Sequence, residues 1–251
     1  MHKTAAPERF GLIDTLRGLC VWGMVVYHTL FDILAVFGGE NAQMPQVLDA
    51  VRTFGAAAFI FLSGVCLHFE TRPFRRFLML FGGGLAVSAV TFLVMPEAGV
   101  LFGILTFMAV SGGIGALMKR LLQKLPAAPF AAASLILFLL LLNVNFGYFG
   151  TATHILYFYP EWLYKNLFTA FLGFPYPGFQ SGDYFPLLPW IFAYFAGFFF
   201  YAAAGSKPVV RRLMIKRWRP AAFCGRYSFY IYLIHQPVVF GCVALLQALF
   251  K

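Results

Sequence analysis

His28 and Asp32 stand one helical turn apart inside the apolar stretch "RGLCVWGMVVYHTLFD", which begins at Arg17. An imidazole beside a carboxylate is the pairing a general base uses. The carboxylate fixes the tautomer and raises the basicity of the other ring nitrogen. On a helix, Asp14, Arg17, Met24, His28 and Asp32 fall within about 80° of one another, forming one polar stripe. His28 then lies roughly 16 Å deeper than Arg17. Near the other end, "CGRYSFYIYLIHQPV" places His235 and Gln236 about 13 Å beyond Arg226, with Pro237 expected to kink the helix. The two histidines therefore reach nearly the same depth on different helices. In "SGDYFPLLPW", Asp183 is placed to cap the helix that follows it, because its carboxylate can accept free backbone N–H groups.

The elements that must position these groups are set by composition. Of 251 residues, 61% are hydrophobic and 11% charged, whereas a soluble domain is about a quarter charged. The chain reads as an all-α, polytopic membrane helix bundle. Runs of about 20 apolar residues give seven spans, approximately Leu16–Phe37, Thr53–Phe69, Phe77–Met95, Leu101–Met118, Phe130–Phe146, Leu187–Ala203 and Tyr227–Leu249. The N-terminus carries basic residues before an apolar run, as a signal peptide does. The run is too long and holds His28 and Asp32, so it reads as a retained first span. No repeat divides the chain, and residues 1–251 read as a single domain. "FGGGLAVS" and "SGGIGA" read as close helix-packing surfaces.

The net charge of +10 reads as a positive-inside bias, with no nucleic-acid partner. With the N-terminus cytoplasmic, every Lys and Arg except Arg52, Lys165 and Lys251 falls on the inner side. The C-terminus is then outside. The inner cations, among them Arg72, Arg75, Arg76 and the run from Arg211 to Arg219, suit anionic membrane lipid or a ligand with several phosphates. The outer connection from Gly147 to Tyr184 is long and aromatic, with a short helix expected near Trp162–Leu172. It reads as an interfacial belt, a lid, or both. The four cysteines have no metal-ligand spacing and read as small buried hydrophobes.

A polar group at bilayer depth costs several kcal/mol unless partnered, which makes His28, Asp32 and His235 functional candidates. Two classes of function use such groups. One is an enzyme working inside the membrane; the other is a channel or proton-coupled carrier relaying protons along them.

The segments "DTLRGLCVWGMVVYHTLFD", "FLSG", "VLFGILTFMAVS", "DYFPLLPW" and "GRYSFYIYLIHQPV" occur in that order over nearly the whole chain. Together they resemble bacterial membrane proteins grouped with the catalytic domain of heparan-alpha-glucosaminide N-acetyltransferase. Thr106 stands where the bacterial relatives commonly have a histidine. The resemblance implies a transmembrane acyltransferase of the bacterial inner membrane. It would carry acetyl from cytoplasmic acetyl-CoA to an extracytoplasmic sugar or glycolipid acceptor. It assigns catalysis to His28, Asp32 and His235, with His28 as general base or acetyl carrier. It gives the acetyl-CoA phosphates to Arg17, Arg226, Arg72 and Arg76, and the acceptor to Asp183, Tyr184 and Gln236. No metal is implied, and a homo-oligomer is compatible with all of this.

Overall fold

A computed structural model describes residues 10–37, 45–150 and 153–249. Lys3, Arg9 and Lys251, used above to orient the chain, lie outside the described residues. Ten α-helices are present among those described. In chain order they are α1 (Gly11–Phe37), α2 (Gln46–Cys66), α3 (Pro73–Val94), α4 (Ile104–Leu122), α5 (Ala127–Leu140), α6 (Leu167–Leu172), α7 (Leu187–Ala204), α8 (Pro208–Ile215), α9 (Arg219–Arg226) and α10 (Ser228–Leu249). A two-stranded antiparallel hairpin, β1 (Tyr148–Gly150) and β2 (Ile155–Phe158), is the sole sheet among the described residues.

Six helices are long and apolar enough to cross a membrane: Val47–Phe69, Pro73–Val94, Ile104–Leu122, Ala127–Phe146, Leu187–Ala204 and Ser228–Leu249. They coincide with the expected second to seventh spans, the second beginning earlier than expected. The chain is thus an all-α integral membrane protein. The expected first span is α1, a single helix of 27 residues and about 40 Å at the α-helical rise; it stands outside the six. Large apolar side chains such as Leu93, Leu139 and Leu245 are exposed along the spans. In a bilayer these are the surfaces that lipid covers, and the backbone satisfies its own hydrogen bonds by being helical.

The chain divides into two compact units, Met1–Leu62 with Ser206–Lys251, and Ser63–Gly205. In the first, α1 packs mainly on α9 and α10, and also touches α8. Glycine makes this possible at two points. A Cβ on Gly18 of α1 would collide with the Ala221 carbonyl of α9, and one on Gly225 of α9 would collide with the Asp14 carbonyl of α1. The two backbones therefore touch directly, as small residues allow between membrane helices. Pro208 and Pro220, in the first turns of α8 and α9, carry no N–H that the helix would need and start each helix in place.

In the second unit, α7 is the buried helix, with Tyr194 and Phe198 fully enclosed, and packs mainly on α5; α3 packs on α4. Gly84 of α3 meets Thr106 of α4, and Gly115 of α4 meets Leu67 and Tyr194, whereas Gly82 and Gly112 meet nothing. Gly113 also meets the Phe77 ring, so the first glycine-rich segment contributes Gly84 to packing and the second Gly113 and Gly115. Lys119 Nζ donates to the carbonyls of Leu67 (2.8 Å) and His68 (3.3 Å), satisfying acceptors exposed where α2 ends.

Within the long connection, the expected short helix is α6. Asn166 caps it, its Oδ1 accepting from the N–H groups of Phe168 and Thr169, both at 3.0 Å, with Thr169 reciprocating. The hairpin before it was not expected. All four cysteines are free, but none is fully buried, and Cys242 is exposed. They lie on half-covered or outward helix faces and not in the core.

Candidate active site

Three rungs link α1 to α10, all inside the first unit. At the first, Arg17 Nη2 donates to Ser228 Oγ at 2.8 Å. At the second, the His28 and His235 rings face each other with centroids 5.0 Å apart and planes at 57°. At the third, Gln236 Nε2 donates to both Asp32 oxygens, at 3.1 and 3.2 Å. Both chains ascend from rung to rung, so α1 and α10 run parallel. The two histidines, expected at nearly the same depth on different helices, here also bring their rings together.

Two expectations need correction here. Asp32 does not hydrogen-bond His28. Both side chains leave the same face of α1, and each meets the group of α10 nearest its own level, His28 the ring of His235 and Asp32 the amide of Gln236. Nor is there one helix from Arg226 to His235. Arg226 ends α9, Tyr227 caps it, and α10 starts at Ser228, so the depth of His235 counts from Ser228, about 10 Å below it. The helix runs on through Pro237.

The chemistry of each rung follows from its donors. His235 Nδ1 lies 2.7 Å from the Tyr232 carbonyl. A carbonyl can only accept, so this nitrogen carries the hydrogen, and in the neutral ring Nε2 is the basic one. Asp32 is buried and has an amide, not a cation, as its partner. Gln236 keeps a buried Oε1 with no partner among the described residues. Arg17 is half-buried, sits 5.6 Å over the Phe59 ring and leaves its Nε without a hydrogen bond among the described residues. The ion pairs among the described residues are Arg52–Asp49 and Arg76–Glu70, so no described carboxylate pairs with Arg17. Arg226 is exposed.

The other expected site residues belong to the second unit. Arg72 is exposed, and its backbone N–H donates to Glu70 Oε1 at 2.9 Å. Arg76 pairs with Glu70 Oε2 at 3.3 Å. Asp183 does cap a helix, but not α7: its Oδ2 accepts from the Ile104 N–H, opening α4, at 3.1 Å. Pro186 already sits at the N-cap of α7, and the chain before it turns instead to α4, whose own N-cap, Gly103, has no side chain to offer. Ser181 Oγ bonds the N–H and C=O of Leu101 at 3.0 and 2.8 Å, and the Phe185 N–H bonds the Phe102 carbonyl at 2.9 Å. The motifs "VLFGIL" and "SGDYF" are thus two sides of one clasp. It holds Phe102 at φ 56, a left-handed backbone that costs a phenylalanine energy. Tyr184 donates to the Ala170 carbonyl at 2.5 Å and Tyr164 to that of Val144 at 2.6 Å. Burial, reinforced by the neighbouring phenol, pushes the Tyr184 hydroxyl up and that of Tyr164 to about 12, so both stay donors.

Sequence reasoning missed Ser228 as the partner of Arg17 and Gln236 as that of Asp32. Each pair is separated by more than two hundred residues. The one signal was that both helices carry polar residues at bilayer depth, His28 and Asp32 on α1 and His235 and Gln236 on α10.

No curated protein and no solved structure matches the chain. The family described as heparan-alpha-glucosaminide N-acetyltransferase, catalytic, matches residues 9–237, which takes in every rung of the site. The chain belongs to that family of membrane acetyltransferases.

Proposed function

We propose that the protein transfers acetyl from cytoplasmic acetyl-CoA to an amine or hydroxyl on an extracytoplasmic sugar or glycolipid, in the bacterial inner membrane. Residues 9–237 fall under one family match, which supports reading the chain as one acyltransferase domain. The observation that carries the chemistry is the ladder between α1 and α10. It has an arginine with no carboxylate partner among the described residues at one level and two facing imidazoles further along.

Arg17, with Arg226, receives CoA phosphates by charge-assisted hydrogen bonds. The thioester reaches the level of His28. His28 takes the proton from the acceptor as its nitrogen or oxygen attacks the thioester carbonyl. The tetrahedral intermediate then collapses to the acetylated acceptor and CoA thiolate, which recovers the proton from the imidazolium. His235 lies against the ring that becomes charged, and Asp32 with Gln236 supplies negative charge one level further on. This route needs no acetyl-histidine.

CoA binding separates this reading from a proton-coupled carrier, which has no use for the nucleotide. CoA at 100 times its dissociation constant is expected to stabilise the purified protein by about 2.7 kcal/mol, seen as a raised unfolding temperature. No shift at millimolar CoA counts against the enzyme.

The orientation proposed is N-terminus in and C-terminus out, with α1 as the first of seven spans. The parallel run of α1 and α10 supports an odd number, because two parallel spans leave their far ends on opposite sides. A reporter active only in the cytoplasm, fused at the C-terminus, is expected to stay silent while the same reporter at the N-terminus is bright. A bright C-terminal fusion overturns the topology.

A further inference from the structure

Helix α8 and the turn after it carry a surface that the site above does not use. Lys207, Arg211, Arg212, Lys216 and Arg217 are all exposed. From Tyr184 to the end of the sequence there is no Asp or Glu, and no ion pair among the described residues involves any of these five. Interleaved with them, Val209, Leu213, Ile215 and Trp218 are 67%, 43%, 57% and 52% exposed. Met214 alone on this helix is buried. The segment does not swing free, because the Trp218 N–H donates to Thr15 Oγ1 at 3.1 Å. The Trp218 ring also meets Trp22 edge-on, with centroids 5.3 Å apart.

Two kinds of phosphate could answer such a charge. A soluble polyanion would satisfy the arginines and leave four apolar side chains in water. A bilayer surface rich in acidic headgroups takes both, the phosphates on the cations and the apolar side chains at the acyl boundary. We propose that α8, with the turn to Trp218, is an interfacial anchor that binds acidic phospholipid through Arg211, Arg212 and Lys216. The anchor is fastened to α1 by Thr15 and Trp22, so it holds at the membrane surface the helix that carries His28. It does not depend on acetyl transfer.

The test uses the full chain in detergent micelles, titrated with brominated phosphatidylglycerol or brominated phosphatidylcholine while tryptophan fluorescence is read. Phosphatidylglycerol is expected to quench at the lower mole fraction. Arg211→Gln with Arg212→Gln is expected to move that midpoint about fivefold per arginine and leave the phosphatidylcholine curve in place, which also reports an intact fold. Trp218→Phe is expected to remove the signal quenched first. Equal midpoints for the two lipids overturn the proposal, as does a double variant with the unaltered curve. Loss of the phosphatidylglycerol preference in millimolar CoA overturns it too, by assigning the cations to a soluble polyphosphate.

Discussion

His28→Ala is expected to lower acetyl-CoA turnover by a factor of about 10²–10⁴, the usual contribution of a positioned general base. CoA affinity should change little. His28 makes no hydrogen bond among the described residues and meets its surroundings through ring contacts with Tyr27 and His235. Its removal therefore breaks no polar network, and the purified variant should unfold at a similar temperature and still gain stability from CoA. An active His28→Ala protein sinks the general-base role. The corrected partnership of Asp32 adds a second comparison. Its carboxylate bonds Gln236 and not the imidazole, so Asp32→Asn is expected to retain more turnover than His28→Ala. Equal losses would restore the orienting role that the sequence suggested for Asp32.

Gly18→Val or Gly225→Val is expected to cost more than about 3 kcal/mol, above the usual range for an overpacked site. In ordinary overpacking a neighbouring side chain can turn aside. Here the obstacle to each new Cβ is a backbone carbonyl, that of Ala221 or of Asp14, and relief requires parting the helices. Gly23→Ala on the same helix is the control, since nothing lies near its would-be Cβ. The measurement is thermal unfolding of purified protein, beside the yield of folded material in membranes. A Gly225→Val protein as stable as the parent would mean that α1 and α9 do not touch as described.

The spans were legible because a bilayer-length apolar run needs no partner to be recognised. Pro73, Leu187 and Ser228 open helices within a few residues of where the hydropathy placed them. The near-equal depth of the two histidines was legible as well, since helical rise converts sequence distance into depth, but not that their rings face each other. What each polar group bonds was not. Asp32 had a neighbour of the right chemistry four residues away on its own helix, and only packing could reveal that Gln236 of α10 takes it. Asp183 likewise stood before one helix and capped another. The division of the basic run into α8 and α9 did leave a trace in Pro208 and Pro220, a proline just past a lysine and just past an arginine. The hairpin left none, because its aromatic residues suit an interfacial loop equally well.

The touching glycines also work as a ruler. Gly18 follows Arg17 in the chain and Gly225 precedes Arg226, so each backbone contact lies next to a guanidinium-bearing residue. The gap between α1 and α9 is fixed there by peptide groups, which neither flex nor change rotamer as side chains do. The roots of the two cations are thereby held at one spacing before any ligand arrives. An anion that bridges them meets a gauge cut in advance, and the entropy of bringing two arginines to one span is lost when the helices pack, not when the ligand binds.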